Sequence, residues 1–333
     1  MTSVQAFPSV RAAIAGEALI DLIVREDGSY QPCLGGAVYN LARALALQGV
    51  GTLYLNPLSG DRFGRALRDQ LTQDGVQLAR PEPVRLATSL AVVSVDAQGH
   101  PDYAFYREGV ADRDVSLAGL QADVARHAGL ELVCTGGLAL DARDADSYLP
   151  WLQAQRAAGR CVVVDANLRP SVMPDLVDYR RHVMAVLAQA HIAKLSDEDL
   201  RHLALPGATP LAQAQGLLAA LPAEVLVLTL GAEGAWLLCR DGRTWHAREA
   251  EPLSVVDTVG AGDSFLAGLL AALLAQPSTA GGLLPGLARL DDTAAAAVLR
   301  HALACASLCV QRRGCVPPGW EEARAWAEAH PLG

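Results

Sequence analysis

Short, unbroken apolar runs alternate with amphipathic stretches along most of the chain. The runs at 50–55, 130–134, 161–164, 191–195 and 225–230 have the length and aliphatic content of buried strands. Between them, 38–48, 62–73, 143–158, 174–189 and 211–221 place apolar residues at helical spacing. Apolar strands separated by helices imply a parallel sheet covered on both faces, because a strand buried on both sides has no place for polar residues. Ligands of such sheets sit beyond the carboxyl ends of the strands.

Two stretches break this rhythm. Residues 12–24 turn at 26–29 into a second extended piece ending at 34, and 86–95 turn at 97–101 into 103–107. Each alternates apolar and polar side chains as a half-buried hairpin does. Together they predict a small antiparallel sheet that covers a ligand held on the larger core. A third hairpin, 235–239 and 244–248 around Asp241-Gly242, extends the core sheet. The expected fold class is α/β: a Rossmann-like αβα core with a mostly parallel central sheet (1–15, 35–85 and 113–333) and a β-sheet lid (16–34 and 86–112).

Charge and composition narrow the chemistry. The 333 residues are 51% hydrophobic and carry 27 Lys+Arg against 36 Asp+Glu, a net charge of −9. That balance opposes a protein built to neutralise nucleic-acid phosphates, so any bound anion needs a local site. Lys194 is the only lysine, so the Gly-Lys pair of a Walker-type phosphate loop is absent. The apolar stretch 265–275 stops at Gln276-Pro277, short of the ~20 residues a membrane span needs, and reads as a buried helix. Arg11, Glu17 and Asp21 interrupt the region a secretory signal would occupy. The seven cysteines form no Cys-x-x-Cys pair, which suits reduced thiols and a cytoplasmic location, and HExxH is absent.

The strongest local signal is Asp257-Thr258-Val259-Gly260-Ala261-Gly262-Asp263, followed at once by the apolar helix 264–275. Glycines at a helix start let backbone amides face an incoming anion, and the helix dipole favours negative charge there. Phosphate is the expected guest. Asp263 in the first turn can then accept the proton of an attacking hydroxyl, although the helix dipole is expected to depress its pKa. A Rossmann dinucleotide site is disfavoured because Phe265 stands where its third glycine belongs. On the nucleotide side, Thr229, Gly231 and Gly234 end a strand and open the backbone at the sheet's carboxyl edge.

DTVGAGDSFLAG (257–268) resembles the second signature of the ribokinase-like (PfkB) carbohydrate kinases, and LGGAVYNLARALALQGV (34–50) resembles their first. Further matches are LSGDRFGRAL (58–67), DANLRP (165–170), KLSDEDL (194–200) and LTLGAEGA (228–235), so the resemblance covers almost the whole chain. It implies a ribokinase-like fold, in agreement with the periodicity. It also implies Asp263 as catalytic base and Gly260, Ala261 and Gly262 as an anion hole. Asp21, Gly36 and Asn40 become sugar contacts, with Asp165 on the substrate side, and Lys194, Ser196, Thr229, Gly231 and Gly234 fall on the ATP side.

Many members carry Asn-x-x-Glu where this chain has Ser196 to Asp199, which leaves Asp199 to hold Mg²⁺ through water. Asp257 resembles part of a monovalent-cation loop, for K⁺. GEALIDL (16–22) and YAFYREGVADRD (103–114) look most like bacterial fructokinases. The rival is a 2-keto-3-deoxygluconate kinase, in which Arg107 and Arg169 would clamp a carboxylate. The alternatives are that Arg107 pairs with a lid acid, and that Arg169 pairs with Asp165 or steadies ATP phosphates. A sensor that kept the fold without the chemistry has no reason to retain Gly-Ala-Gly-Asp. The expected partners are a small sugar and ATP, with no nucleic acid or membrane, and a second copy docked through the lid.

Overall fold

A computed structural model describes residues 8–25, 27–95, 101–277, 281–330 and 332. The turn expected at 97–101 lies, apart from Pro101, outside the described residues. In the first half, β1 (Ala12–Ile14), β2 (Leu19–Val24) and β3 (Tyr30–Gly35) lead into α1 (Ala37–Leu47). Next come β4 (Thr52–Tyr54), α2 (Arg62–Gln73), β5 (Gln77–Leu78), β6 (Ser89–Val95), β7 (Pro101–Tyr106), α3 (Leu117–Ala125) and β8 (Leu132–Gly136). The chain continues through α4 (Ala145–Ala157), β9 (Cys161–Asp165), α5 (Leu176–Leu187), β10 (Ile192–Ser196), α6 (Asp197–Leu203) and α7 (Pro210–Ala220). It closes with β11 (Val225–Thr229), β12 (Ala235–Cys239), β13 (Thr244–Ala247), α8 (Ala261–Ala275), α9 (Leu283–Ala288), α10 (Asp292–Val310) and α11 (Trp320–Ala329).

Nine strands form the core sheet in the order β13-β12-β11-β10-β9-β8-β1-β4-β5. Pairing is parallel from β11 to β5, and β12 and β13 add the expected antiparallel hairpin at one edge. Alternate residues of one strand serve opposite layers. Cys134, Val163 and Val227 pack with α1, α8 and α10, while Val133, Val164 and Leu226 pack with α3, α4, α5 and α7. Both faces are covered, which is why these strands read as unbroken apolar runs.

The smaller sheet has the order β3-β2-β6-β7. Its two hairpins are antiparallel, but they join through β2 and β6, which run parallel. This corrects the expectation of a wholly antiparallel lid. The run 12–24 is also two strands. It breaks between β1 and β2 around Gly16 (φ +148°), and so passes from the core sheet to the small one.

α8 is buried at every position from Asp263 to Leu274, with α1 and α10 packed against it. α10 is the longer apolar helix, 19 residues with a window of mean hydropathy 1.6. Its apolar length reflects burial between α8 and α11. Where α8 meets α10, Gly268 lies against the Cys305 side chain and the Ala302 backbone, which lets the two helices approach closely.

Candidate active site

The carboxyl ends of β8 to β11, the small sheet and the first turn of α8 enclose a cavity of about 920 Å³. Asp263 stands in its wall, 6% exposed, and its Oδ2 accepts a hydrogen bond from Asn40 Nδ2 at 3.0 Å. Residues 223 apart in sequence thus meet because α1 and α8 pack side by side. The first intrahelical bond of α8 is Ser264 N to Gly260 O, 2.8 Å. The amides of 261–263 therefore precede any intrahelical acceptor and form the electropositive mouth of the helix. Ala261 N turns back to Thr258 O at 3.3 Å, and Gly260 and Gly262 line the cavity.

Burial, with the neighbouring Asp165 charge, pushes Asp263 up to about 7 against the pull of Asn40, Lys194 and Arg169. This overturns the expected depression: desolvation outweighs the helix dipole. Asp21 and Glu17 share the effect. Burial raises Asp21 to about 6 against Arg169, and Glu17 to about 7 against Arg107. Three carboxyls displaced in the same direction around one hollow are a functional-site signature.

Toward the small sheet, Gly36 (φ +110°) sits so close to the Glu17 carbonyl that a Cβ would lie 2.7 Å from it. Gly35 lies directly against the Asp21 carboxylate. Glu17 Oε1 accepts from Ala37 N, 3.0 Å, and so helps cap α1, while Oε2 has no partner among the described residues. Asn40 Oδ1 is likewise unpaired.

Opposite, Lys194 Nζ bonds both oxygens of Asp165, at 2.9 and 3.1 Å. Burial alone would lower the Lys194 pKa, but Asp165, with Asp199 and Asp263, raises it more, so the ammonium stays charged. Nζ is 3.2 Å from where a Cβ on Gly262 would be. A fixed cation therefore stands beside the α8 mouth, and the two reinforce each other toward an anion.

Asp199 lines the cavity, but its carboxylate is already engaged. Oδ1 accepts from Leu168 N, and Oδ2 accepts from Ser196 N and Oγ, all at 2.7–2.8 Å, while Ser196 Oγ accepts from Asp199 N. Ser196 and Asp199 are thus the capping box of α6. Among the described residues no three His, Cys, Asp or Glu side chains gather to hold a metal ion. Oδ1 keeps a second lone pair and Glu198 also lines the cavity, an arrangement that suits Mg²⁺ held through its own waters. Asp257 bridges two loops, accepting from Val259 N at 3.1 Å and Gly314 N at 2.8 Å. Each of its oxygens retains a lone pair, so K⁺ fits there.

Of the residues singled out from sequence, Asp21, Gly36, Asn40, Arg169, Lys194, Ser196, Asp199, Thr229, Asp257, Gly260, Gly262 and Asp263 line this one cavity. Asp165 stands behind Lys194. Arg107 does not line the wall: it is 6% exposed and lies near Asp112 (3.8 Å) and Asp141 (4.0 Å), the lid-acid alternative. Gly231 (φ +57°) and Gly234 (φ +84°) shape the turn from β11 to β12 instead. Sequence reasoning missed Glu17, Asn167, Arg313 and Cys315, all in the wall. Of these, Glu17 had a signal, a carboxyl inside an otherwise apolar strand region.

A buried carboxylate stands at the mouth of a helix, with a fixed ammonium beside it and further hydrogen-bonding groups facing it, an arrangement chemically suited to phosphoryl transfer. The profile described as pfkB family carbohydrate kinase matches residues 11–323, and the chain belongs to that family. The chain is 32% identical to a fructokinase of Rhizobium leguminosarum bv. trifolii over 262 residues, 78% of each protein. It is 29% identical to an aminoimidazole riboside kinase of Salmonella typhimurium, over 77% of this chain and 79% of that one. The crystal structure of a Xylella fastidiosa fructokinase with bound ATP superposes with a TM-score of 0.82 at 26% identity, covering 96% of this chain and 98% of the other. The protein is a carbohydrate kinase with a ribokinase-like fold.

Proposed function

We propose that the protein transfers the γ-phosphoryl group of ATP to D-fructose, giving ADP and fructose 6-phosphate. The observation that carries this reading is the Asn40–Asp263 pair at the mouth of α8. Asn40 holds Oδ2, which leaves Oδ1 to take the proton of the primary hydroxyl as phosphorus is attacked. Phosphoryl transfer passes through a loose transition state in which the proton leaves late, so orienting the hydroxyl matters as much as basicity. Asp21 and the Gly36 backbone offer hydrogen bonds to further hydroxyls. The 261–263 amides and Lys194 stabilise charge on the transferring oxygens.

Mg²⁺ carried with ATP would be held through water by Asp199 and Glu198, and neutralises phosphate charge when bound. K⁺ at Asp257 would fix the loop that opens α8. The small sheet serves as a lid that excludes water, which ATP would otherwise phosphorylate. Its outer surface exposes Val24, Tyr30 and Tyr106, and β3 and β7 are its edges, which supports a homodimer docked through the lid.

Fructose is favoured over 2-keto-3-deoxygluconate because only Arg169 of the two expected arginines lines the cavity, so the carboxylate clamp is incomplete. An ADP-release assay coupled to reduced-nicotinamide oxidation tests the reading across fructose, 2-keto-3-deoxygluconate, ribose and aminoimidazole riboside. The highest kcat/KM is expected for fructose; a higher value for any other acceptor replaces it.

A further inference from the structure

Two thiols bracket the peptide that opens α8. Cys309, near the end of α10, donates its Sγ to Val259 O at 3.6 Å. Cys315 follows the next turn, and its Sγ occupies the place a Cβ on Gly260 would need. Both sulfurs thus meet at the Val259-Gly260 peptide, and the neighbouring Cys315 draws Cys309 down to about 6, while Cys309 and burial push Cys315 up. Cys309 is fully buried, whereas Cys315 is 9% exposed and forms part of the cavity wall. The surrounding segment is anchored: Arg43 Nη1 donates to Cys315 O at 3.3 Å and Gly314 N to Asp257 Oδ2 at 2.8 Å. Movement of either sulfur is therefore transmitted to Val259-Gly260.

We propose that Cys309 and Cys315 are an oxidation site for hydroperoxides, which join them in a reversible disulfide that disables the phosphate-binding helix mouth. Cys309 is the thiol that ionises first, while Cys309 itself, burial and the Asp263 charge push Cys315 up, so the Cys309 thiolate takes the proton of Cys315 as that sulfur, the one that faces the cavity, reacts. That sulfur attacks a peroxide oxygen; the S–O bond forms, the O–O bond breaks, and hydroxide (or alkoxide) leaves. Cys309 then attacks the sulfenic sulfur. The S–S bond forms, the S–O bond breaks, and water departs with the Cys309 proton. The two thiols supply the two electrons that reduce the peroxide. Closing to an S–S length of about 2.05 Å draws the two sulfurs together, which pulls on Val259 and Gly260 and turns the 261–263 amides off target.

The test treats the full chain with hydrogen peroxide and follows free thiols, peptide masses and kcat with the best sugar. Expected is a peptide pair linked through Cys309 and Cys315, lighter by two hydrogens. Activity should fall about a hundredfold, the size of loss that displacing one preorganised donor causes. Dithiothreitol should restore it, and ADP should slow the reaction by covering the helix mouth. Cys309→Ser and Cys315→Ser should each keep, under peroxide, the activity they had before treatment. Linkage of Cys315 to Cys33 or of Cys309 to Cys305, irreversible sulfinate, or a Cys309–Cys315 bond with unchanged kcat would each overturn the proposal.

Discussion

Asp263 illustrates how one side chain's environment decides its chemistry. With its pKa lifted to about 7 by burial, it is half-ionised near neutrality, where a general base is most effective. The active form is the carboxylate, so kcat/KM should fall about tenfold per pH unit below that value and level off above it. Asp263→Asn should lower kcat by about 10²–10⁴-fold, the usual worth of general-base catalysis, while calorimetry finds sugar affinity within a few-fold. Retention of near-normal turnover would remove Asp263 from the chemistry. The motif around Asp263 was legible because its residues are contiguous. Its pKa was misread because sequence shows the helix dipole but not the depth of burial. Arg107 stayed open between a substrate clamp and a lid-acid partner for a related reason, since its distance from the cavity depends on the path of the loop after β7.

Helices and strands set the positions that matter. The α8–α10 crossing depends on Gly268, where a Cβ would lie 2.6 Å from Cys305 Sγ and 3.1 Å from the Ala302 Cα. Gly268→Ala gains roughly 0.5–1 kcal/mol of helix propensity but incurs about 1–3 kcal/mol of overpacking, so destabilisation wins. Thermal melting should show a lower Tm for Gly268→Ala, partly restored by adding Cys305→Ala; an unchanged Tm would show that the helices separate without cost. At this scale the sequence revealed which runs are strands, because both-face burial leaves a plain pattern. It did not reveal that β2 and β6 pair in parallel, which depends on where two distant hairpins leave the core. Ser196 to Asp199 was read as a departure from a metal motif; its geometry shows a capping box whose Ser-x-x-Asp spacing was visible all along.

Across the whole molecule, stability and function share the same buried charges. Glu17 has its pKa raised from 4.5 to about 7. Between those values the folded state holds a proton that the unfolded chain has lost, so stability drains away as pH rises through that window and the loss is complete above it. Glu17→Gln keeps the acceptor for Ala37 N and removes the titration. The Tm of Glu17→Gln minus that of the native protein should therefore grow from pH 4.5 to 7 and then stay constant; a gap independent of pH would show Glu17 ionised throughout. Asp21, Asn40 and Asp263 lie on elements far apart in the chain, so no local pattern unites them, and their grouping was legible only through the family resemblance.

Lys194, the chain's sole lysine, is 4% exposed and sits inside the cavity. An amine-directed reagent such as a succinimidyl ester acylates the neutral amine, so on the folded chain it meets no ε-amine on the outer surface and only a protonated one, held by Asp165, inside. The protein thus carries its own unfolding probe: acylation at this single residue should be absent from the folded chain and should appear, counted by mass, once the pair with Asp165 opens.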